Sequence, residues 1–339
     1  MKLLGYILQR LAATMAMALA ATFVVFLIAH TVPADPVLAQ LGDRAAANPE
    51  LVERYRARWG LDEPLLVQYG IFLKGITQGD LGMSIVSRRP VLRDIADYLP
   101  ATFELSCVAA IFVLIVGIPL GIVAALRRDT WIDHAARILS LIGVSTPTFW
   151  LAFLSLAIFY GALGIAPGPG RLSPIDLPPP QITGFYLIDS LLAGDLATFR
   201  SALAHLMLPA LVLAATTVGL ITRTTRAAML DVLGQDYIRM ARAKGLPQRQ
   251  VIGRHAFRNA LLPIITLGGI TYAELLAGAV LTETIFSWPG LGRFTFDSAV
   301  ALDFPAITGV TLIVAMVFLL INLLVDLSYM VIDPRVVAA

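Results

Sequence analysis

The sequence contains six long stretches with no charged residue or only one, and these stretches restrict the fold more than any other feature. A helix needs about 20 residues to cross the roughly 30 Å hydrocarbon core of a bilayer. We therefore predict an all-α membrane protein with six transmembrane helices. The six stretches are Leu11 to Ala29, Leu105 to Leu126, about 20 residues from Ile138, Ala202 to Ile221, Ala260 to Thr282 and Ala306 to Val325.

The overall composition agrees with a membrane protein and excludes other classes. Hydrophobic residues make up 58% of the chain and charged residues 14%, against about 45–50% and about 25% in soluble domains. Such a chain has too few charges to cover a soluble surface and too many apolar residues to be disordered. A disulfide scaffold is excluded because the one cysteine, Cys107, lies inside an apolar stretch.

The distribution of Lys and Arg between the connecting segments predicts the orientation in the membrane. If the N-terminus is inside, the inner segments carry 14 Lys and Arg, whereas the short outer segments 165–201 and 283–305 carry 3. Cytoplasmic loops are enriched in these residues, and long loops such as 30–104 do not count. We therefore expect both termini in the cytoplasm, in agreement with an even number of spans.

We divide the chain into three parts. Residues 1–29 hold the N-terminus and the first span, which is too long for a signal-peptide core and is expected to stay as an anchor. Residues 30–104 form an extracytoplasmic segment with a solvated surface, in which Asn48 and Gly60 predict the two ends of a capped helix. Residues 105–339 form the five-helix core. The core includes an ordered outer loop, 165–201, and a cytoplasmic loop, 222–259.

The cytoplasmic loop 222–259 is the most informative part of the chain. It holds eight basic residues and two acidic ones. Asp236 is expected to cap a short helix, and Gly245 fits the left-handed position that ends it. Pro247 suits the first turn of a second short helix. The two helices would meet at a tight corner that faces the cytoplasm.

Two interpretations of this loop remain open from its residues alone. A basic amphipathic segment can lie on anionic lipid, or it can dock onto a partner protein. In the second case Leu246 would be the apolar apex of the corner and would enter a pocket of the partner. Arg242 and Arg249 would then meet acidic groups at the rim of that pocket.

Several stretches resemble the permeases of ABC importers, in particular the peptide and nickel subfamily. In the family's cytoplasmic signature Arg239 takes the place of the usual glutamate, and Gly245 matches the glycine. The matching stretches follow the expected order over nearly the whole chain, and ITGFYLIDSLLAGD resembles the dipeptide permeases within the subfamily. They are AHTVPADPV (29–37), GDLGMSI (79–85), ITGFYLIDSLLAGD (182–195), ARAKGLPQRQVIGRHAFRNALLP (241–263), LTETIFSWPGLGR (281–293) and NLLVDLSYMVIDPR (322–335).

The resemblance implies a type I ABC-importer permease that carries dipeptides or short peptides across a bacterial inner membrane, and that is not an enzyme. Nickel, haem or glutathione are alternative cargoes. The implied partners are a second homologous permease subunit, two ATP-binding subunits, an extracytoplasmic substrate-binding protein and membrane lipid. The residues that would couple this chain to the ATPase are Arg239, Ala241, Arg242, Gly245, Leu246 and Pro247.

No cofactor, metal or nucleic acid is expected on this chain. None of the lysines precedes Ser or Thr, as the lysine of a phosphate-binding loop does. ATP and Mg would therefore be bound by the partner subunits. The net charge of only +2 gives no general attraction to nucleic acid, and the histidines are not spaced as metal ligands.

Glu274 lies in the middle of the fifth predicted span, where a carboxylate is by default a functional candidate. It could line the translocation pathway, pair with a partner subunit or sit protonated in a packed interface. A function of a different class, a proton-driven secondary transporter, would use Glu274 directly. Such a transporter would show inverted repeats and several intramembrane carboxylates, and the sequence shows no visible repeat. Glu283, at the end of the same span, is expected to cap a helix or to snorkel.

Overall fold

The computed structural model describes residues 2–31 and 48–332, and these residues form helices joined by loops. The predicted all-α fold is therefore confirmed for the described ranges, whereas most of the AHTVPADPV motif lies outside them. The helices are α1 (Lys2–Thr31), α2 (Pro49–Trp59), α3 (Leu65–Thr77), α4 (Val91–Leu126), α5 (Trp131–Ser145), α6 (Thr148–Ala162), α7 (Tyr186–Leu192), α8 (Leu196–Leu233), α9 (Asp236–Ala243), α10 (residues 248–285), α11 (Leu291–Val300) and α12 (Phe304–Ile332). Parts of α4, α6 and α10 are π-helical, at Val113–Gly117, Leu156–Ala162 and Val251–Phe257.

Five helices are long and apolar enough to cross a membrane alone, namely α1, α4, α8, α10 and α12. The pair of α5 and α6, which meet at an angle of 100°, is a sixth candidate when it is taken as one broken span. The prediction of one continuous helix from Ile138 is therefore wrong. Thr146 has an extended backbone with φ −86° and ψ 123°, because the ring of Pro147 disfavours a helical conformation in the residue before it.

Helix α8 is the centre of the bundle and packs against α4, α5 and α10. Its 38 residues give a length of about 57 Å, so it continues well beyond the predicted span of Ala202 to Ile221.

Glycines allow the neighbouring helices to come close to α8. A Cβ on Gly121 of α4 would lie 2.6 Å from the carbonyl oxygen of Thr222, and one on Gly219 of α8 would lie 2.6 Å from that of Ser140. Such close backbone approach is typical of helix pairs in membranes.

Before α4, the described part of the extracytoplasmic segment contains two helices, α2 and α3. The predicted boundaries of α2 are confirmed. The side chain of Asn48 accepts a hydrogen bond from the N–H of Glu50 at 3.1 Å, and Gly60 ends the helix with φ +60°. Helix α3 packs against α1 through Tyr69 and Phe72.

A buried ion pair attaches the outer loop to the bundle. Arg171 of the loop donates from Nη2 to Oε2 of Glu104 in α4 at 2.5 Å, and both side chains are less than a tenth exposed. The guanidinium of Arg171 lies over the ring of Tyr186, with Cζ 3.6 Å from the ring centroid. The N–H of Leu187 donates to the other oxygen of Glu104 at 2.8 Å. The loop is therefore held in place by charge, as well as by packing.

Asp189 organises the part of the outer loop that precedes α7. Its carboxylate accepts hydrogen bonds from the Thr183 hydroxyl and from the N–H groups of Ile182, Thr183 and Gly184. Burial alone would raise the pKa of Asp189, but these hydrogen bonds outweigh it and the pKa lies below its usual value. The loop is predicted to be ordered. The hydrogen bonds from the surrounding backbone to the charged Asp189 carboxylate explain this order.

We expect Arg171→Ala to destabilise the protein, because it leaves the buried carboxylate of Glu104 without its counter-ion. Breaking a buried ion pair by removing one partner costs about 3–5 kcal/mol. Thermal unfolding of the purified chain, followed by tryptophan fluorescence, measures the effect. Arg200→Ala is the matched control, since Arg200 is an exposed arginine near the same loop. Equal unfolding temperatures for the two variants would contradict the structural role of the Arg171–Glu104 pair.

Candidate functional site

The predicted loop 222–259 starts within α8, which ends at Leu233, and the short helix α9 follows. Helix α9 starts one residue before the predicted position. Gln235, not Asp236, takes the N-cap position, and no side chain caps the helix there. Asp236 instead lies in the first turn, where its negative charge interacts favourably with the helix dipole. Its contact with Arg239, 3.4 Å between Oδ1 and Nη1, joins two exposed side chains. Such exposed pairs contribute little to stability.

The corner of the loop has the conformation that the sequence predicted. Gly245 has φ +76°, which favours glycine because a side chain would be strained there. The N–H of Gly245 donates to the carbonyl of Arg242 at 2.9 Å, and that of Leu246 donates to the carbonyl of Ala241 at 3.4 Å. These two hydrogen bonds form the Schellman motif that ends many helices. No atom would lie within 4 Å of a Cβ on Gly245, so the corner is open to the outside.

The sequence predicts two short helices in the loop, but the second of them is the start of the long helix α10. Pro247 is the N-cap and not a residue of the first turn, and its carbonyl accepts the N–H groups of Gln250 and Val251. From Gln248 the chain stays helical as far as Ile285. The corner is therefore joined directly to the fifth span.

Helix α9 has a buried face and an exposed face. Ile238 and Ala241 are buried in a cluster with Met229 and Val251, and Leu246 packs partly against the same cluster. The structure therefore places Leu246 against this chain's own core, whereas we expected it at the exposed apex. The apolar side chains that face outwards are Tyr237, which is 41% exposed, and Met240, which is 57% exposed. Exposed basic side chains surround them, those of Arg239, Arg242 and Arg249.

Glu274 is far from the loop and lies on the uncovered side of α10. Its neighbours in sequence, Ala273 and Leu275, are buried against the bundle, but Glu274 itself is exposed. It lies roughly 39 Å along the helix from its start at Gln248. Within the described residues no group of three or more metal-binding side chains is found. The predicted site residues thus form two separate places, a cytoplasmic corner and a membrane carboxylate.

An ion pair that was not predicted from the sequence joins α5 to α8 near the end that carries the basic loop. Arg226 of α8 donates to both oxygens of Asp133 in α5, at 2.5 and 2.7 Å, and Asp133 is fully buried. The N–H of Asp129 also donates to Asp133, at 3.0 Å. The pair holds the start of α5 to α8 seven residues before α8 ends at Leu233. The sequence does contain a signal for this pair. An arginine that continues an apolar helix needs an acidic partner when it is buried.

Glu283 is buried and caps a neighbouring helix. Of the two alternatives for this side chain, capping is therefore confirmed, and snorkelling to the membrane surface is not. Its Oε2 accepts the N–H of Arg293 in the first turn of α11, at 3.0 Å. The hydroxyl of Thr102 donates to Oε1 at 2.6 Å and accepts the N–H of Leu291 at 2.8 Å. A Cβ on Gly290 would lie 2.3 Å from this carboxylate. The glycines of the WPGLG stretch therefore leave room for the cap.

The chain is similar to known transport proteins over nearly its whole length. Residues 117–338 match the family model "Binding-protein-dependent transport system inner membrane component", and residues 3–106 match the model of the N-terminal part of such components. A probable D,D-dipeptide transport system permease protein, DdpB of Escherichia coli, is 47% identical over 92% of both chains. The dipeptide transport system permease protein DppB is 43% identical in Escherichia coli and 42% identical in Alkalihalophilus pseudofirmus, each over 98% of this chain and 99% of the relative. A solved structure of the inward-facing MetNI methionine ABC transporter is 17% identical, with a TM-score of 0.46 over 70% of this chain and 92% of that chain.

Proposed function

The chain belongs to the family of inner-membrane components of binding-protein-dependent transport systems, and we propose that it is a permease subunit that imports dipeptides or other short peptides. The observation that carries the proposal is the match to permeases named for dipeptide transport over nearly the full length of both chains. Membership of a binding-protein-dependent family argues against a self-sufficient proton-driven transporter, because that family works with a separate binding protein.

We propose that the chain works with a second permease subunit, two ATP-binding subunits and a substrate-binding protein outside. ATP and Mg would be held by the ATP-binding subunits. The excess of Lys and Arg in the inner segments supports an orientation with both termini in the cytoplasm. In that orientation the corner at Gly245 faces the ATP-binding subunits, and the segment 48–90 and the outer loop face the binding protein.

We further propose that the exposed face of α9 and the corner after it form the docking surface for the ATP-binding subunit. Tyr237 and Met240 supply apolar area, and Arg239 and Arg242 supply positive charge around it. Apolar anchors within a polar rim are typical of protein interfaces. Leu246 and Ala241 support this surface from below by packing on the inner cluster.

The docking surface predicts different results for Met240→Ala and Leu246→Ala. Met240→Ala should weaken binding of the ATP-binding subunit by about 1–2 kcal/mol, or roughly tenfold in Kd, because its exposed side chain would be buried by docking. Leu246→Ala should mainly lower the thermal stability of the permease. Binding of the purified ATP-binding subunit to membrane vesicles measures the first effect.

Inside-out vesicles should bind the ATP-binding subunit and right-side-out vesicles should not, which also tests the proposed orientation. Arg54→Ala is a control on the opposite side of the membrane, since Arg54 lies on the exposed surface of α2. Unchanged binding by Met240→Ala in inside-out vesicles would contradict the docking surface.

Gly245→Asp tests the corner itself. The left-handed backbone costs any other residue about 1 kcal/mol or more, and an aspartate adds bulk and negative charge to a basic surface. We expect loss of transport and loss of bound ATP-binding subunit, measured by co-purification and by substrate-stimulated ATP hydrolysis. Gly245→Ala carries the same backbone strain with little bulk and no charge, so it should retain more of both activities. Normal hydrolysis in Gly245→Asp would argue for the alternative in which the loop lies on lipid.

Glu274 is proposed to line the translocation pathway, because it is a membrane carboxylate on the side of α10 that this chain leaves uncovered. We expect Glu274→Gln to reduce peptide uptake into proteoliposomes while the subunits still assemble, since the amide keeps the shape and removes the charge. Thr311→Val on α12 is a control for altered polarity, since Thr311 is exposed and its hydroxyl bonds the Ile307 carbonyl of its own helix. Uptake at the unaltered rate would remove Glu274 from the pathway.

A further inference from the structure

Helix α3 (Leu65–Thr77) is mostly apolar, yet none of its residues is buried within the chain. Lys74 is the one charged residue within it. A helix with so much apolar surface is found in a protein core or in a membrane. The surroundings of α3 are therefore not explained by the helices of this chain, although we expected the whole segment 30–104 to have a solvated surface.

The contacts of α3 with α1 fix its height relative to the membrane. The hydroxyl of Tyr69 donates to the carbonyl of Leu19 at 3.0 Å and lies 2.8 Å from the hydroxyl of Thr22. The Tyr69 ring lies 5.1 Å from the ring of Phe23, centroid to centroid. Phe72 packs against Phe26, with the centroids 5.6 Å apart. These positions of α1 lie within its apolar span, Gly5–Ile28.

The first turn of α3 also carries apolar side chains that no other described part of the chain covers. Leu66 is 76% exposed, and Leu65 and Val67 are each about half exposed. Helix α1 is itself at the edge of the bundle, where it packs against α12 and α3, and α3 extends its lipid-facing surface. Charged residues stand just before the helix, at Asp62 and Glu63, as expected where a chain enters an interface from water.

We propose that α3 is an interfacial helix whose exposed apolar first turn, with Leu65, Leu66 and Val67, inserts into the acyl region of one leaflet. In the orientation proposed above this is the outer leaflet, but the lipid contact does not depend on that orientation. Lys74 reaches the headgroups with its flexible side chain. The helix anchors the extracytoplasmic segment to the bilayer beside the first span, and so sets the height of the surface that faces the binding protein.

The experiment is spin labelling of Leu66→Cys in a Cys107→Ser background, with the full transporter assembled from cysteine-free partners in nanodiscs. Leu51→Cys on α2 is the matched control, because Leu51 is a partly exposed leucine between Glu50 and Arg54. Collision with oxygen reports lipid, and collision with a water-soluble nickel chelate reports solvent. We expect the ratio of oxygen to nickel collisions to be several-fold higher at position 66 than at position 51.

Two results would overturn the proposal. A nickel collision rate at position 66 equal to that at position 51 would place α3 in water. Low collision with both reagents at position 66 would show that protein covers the helix, either a second permease subunit or another part of this chain. Substrate-stimulated ATP hydrolysis by the spin-labelled Leu66→Cys transporter shows that the labelled transporter is correctly assembled.

Discussion

Lipid offers no hydrogen-bond partners, so each polar group at the edge of a span has to be satisfied by the chain itself. The ends of the helices opposite the basic loop show how this requirement is met. Glu104 pairs with the outer loop, Glu283 caps α11, and Asp303 accepts the hydroxyl of Ser84 at 2.5 Å and the N–H of Ala306 at the start of α12. All three carboxylates are buried. They connect the loops to the spans as firmly as the apolar core does.

The two ends of the bundle consequently differ in character. At the end with the buried carboxylates, breaking a contact leaves a charge in a site with little water, and that cost holds loops and helices together. At the basic end the buried carboxylate of Asp133 likewise joins α5 to α8, but the loop around α9 has its charges on the surface, as in the exposed pair of Asp236 and Arg239. An exposed surface of this kind can be covered and uncovered by a partner at little cost. The structure thus combines a fixed end with an end that is free to bind.

Features that depend on neighbouring residues could be predicted from the sequence, and features that depend on distant ones could not. The spans, the capped helix α2 and the left-handed Gly245 follow from local patterns. The break before Pro147 has a local cause as well, but the long apolar run concealed it. In contrast, Thr102 and Glu283 are 181 residues apart in the sequence. No spacing rule connects such residues, so their contact becomes visible only when α4, α10 and α11 are packed together.

The continuity of α10 joins the two candidate sites, which the sequence analysis treated as separate. The helix starts at the corner beside Gly245, carries Glu274 along its length and ends beside the buried cap formed by Glu283. At 1.5 Å per residue it is about 57 Å long. One helix therefore connects the corner to the membrane carboxylate and to the far cap. Besides Pro263, this helix contains a π-helical turn at Val251–Phe257, and such turns frequently occur at functional sites. It lies directly after the corner, where any rotation between the loop and the span has to be absorbed.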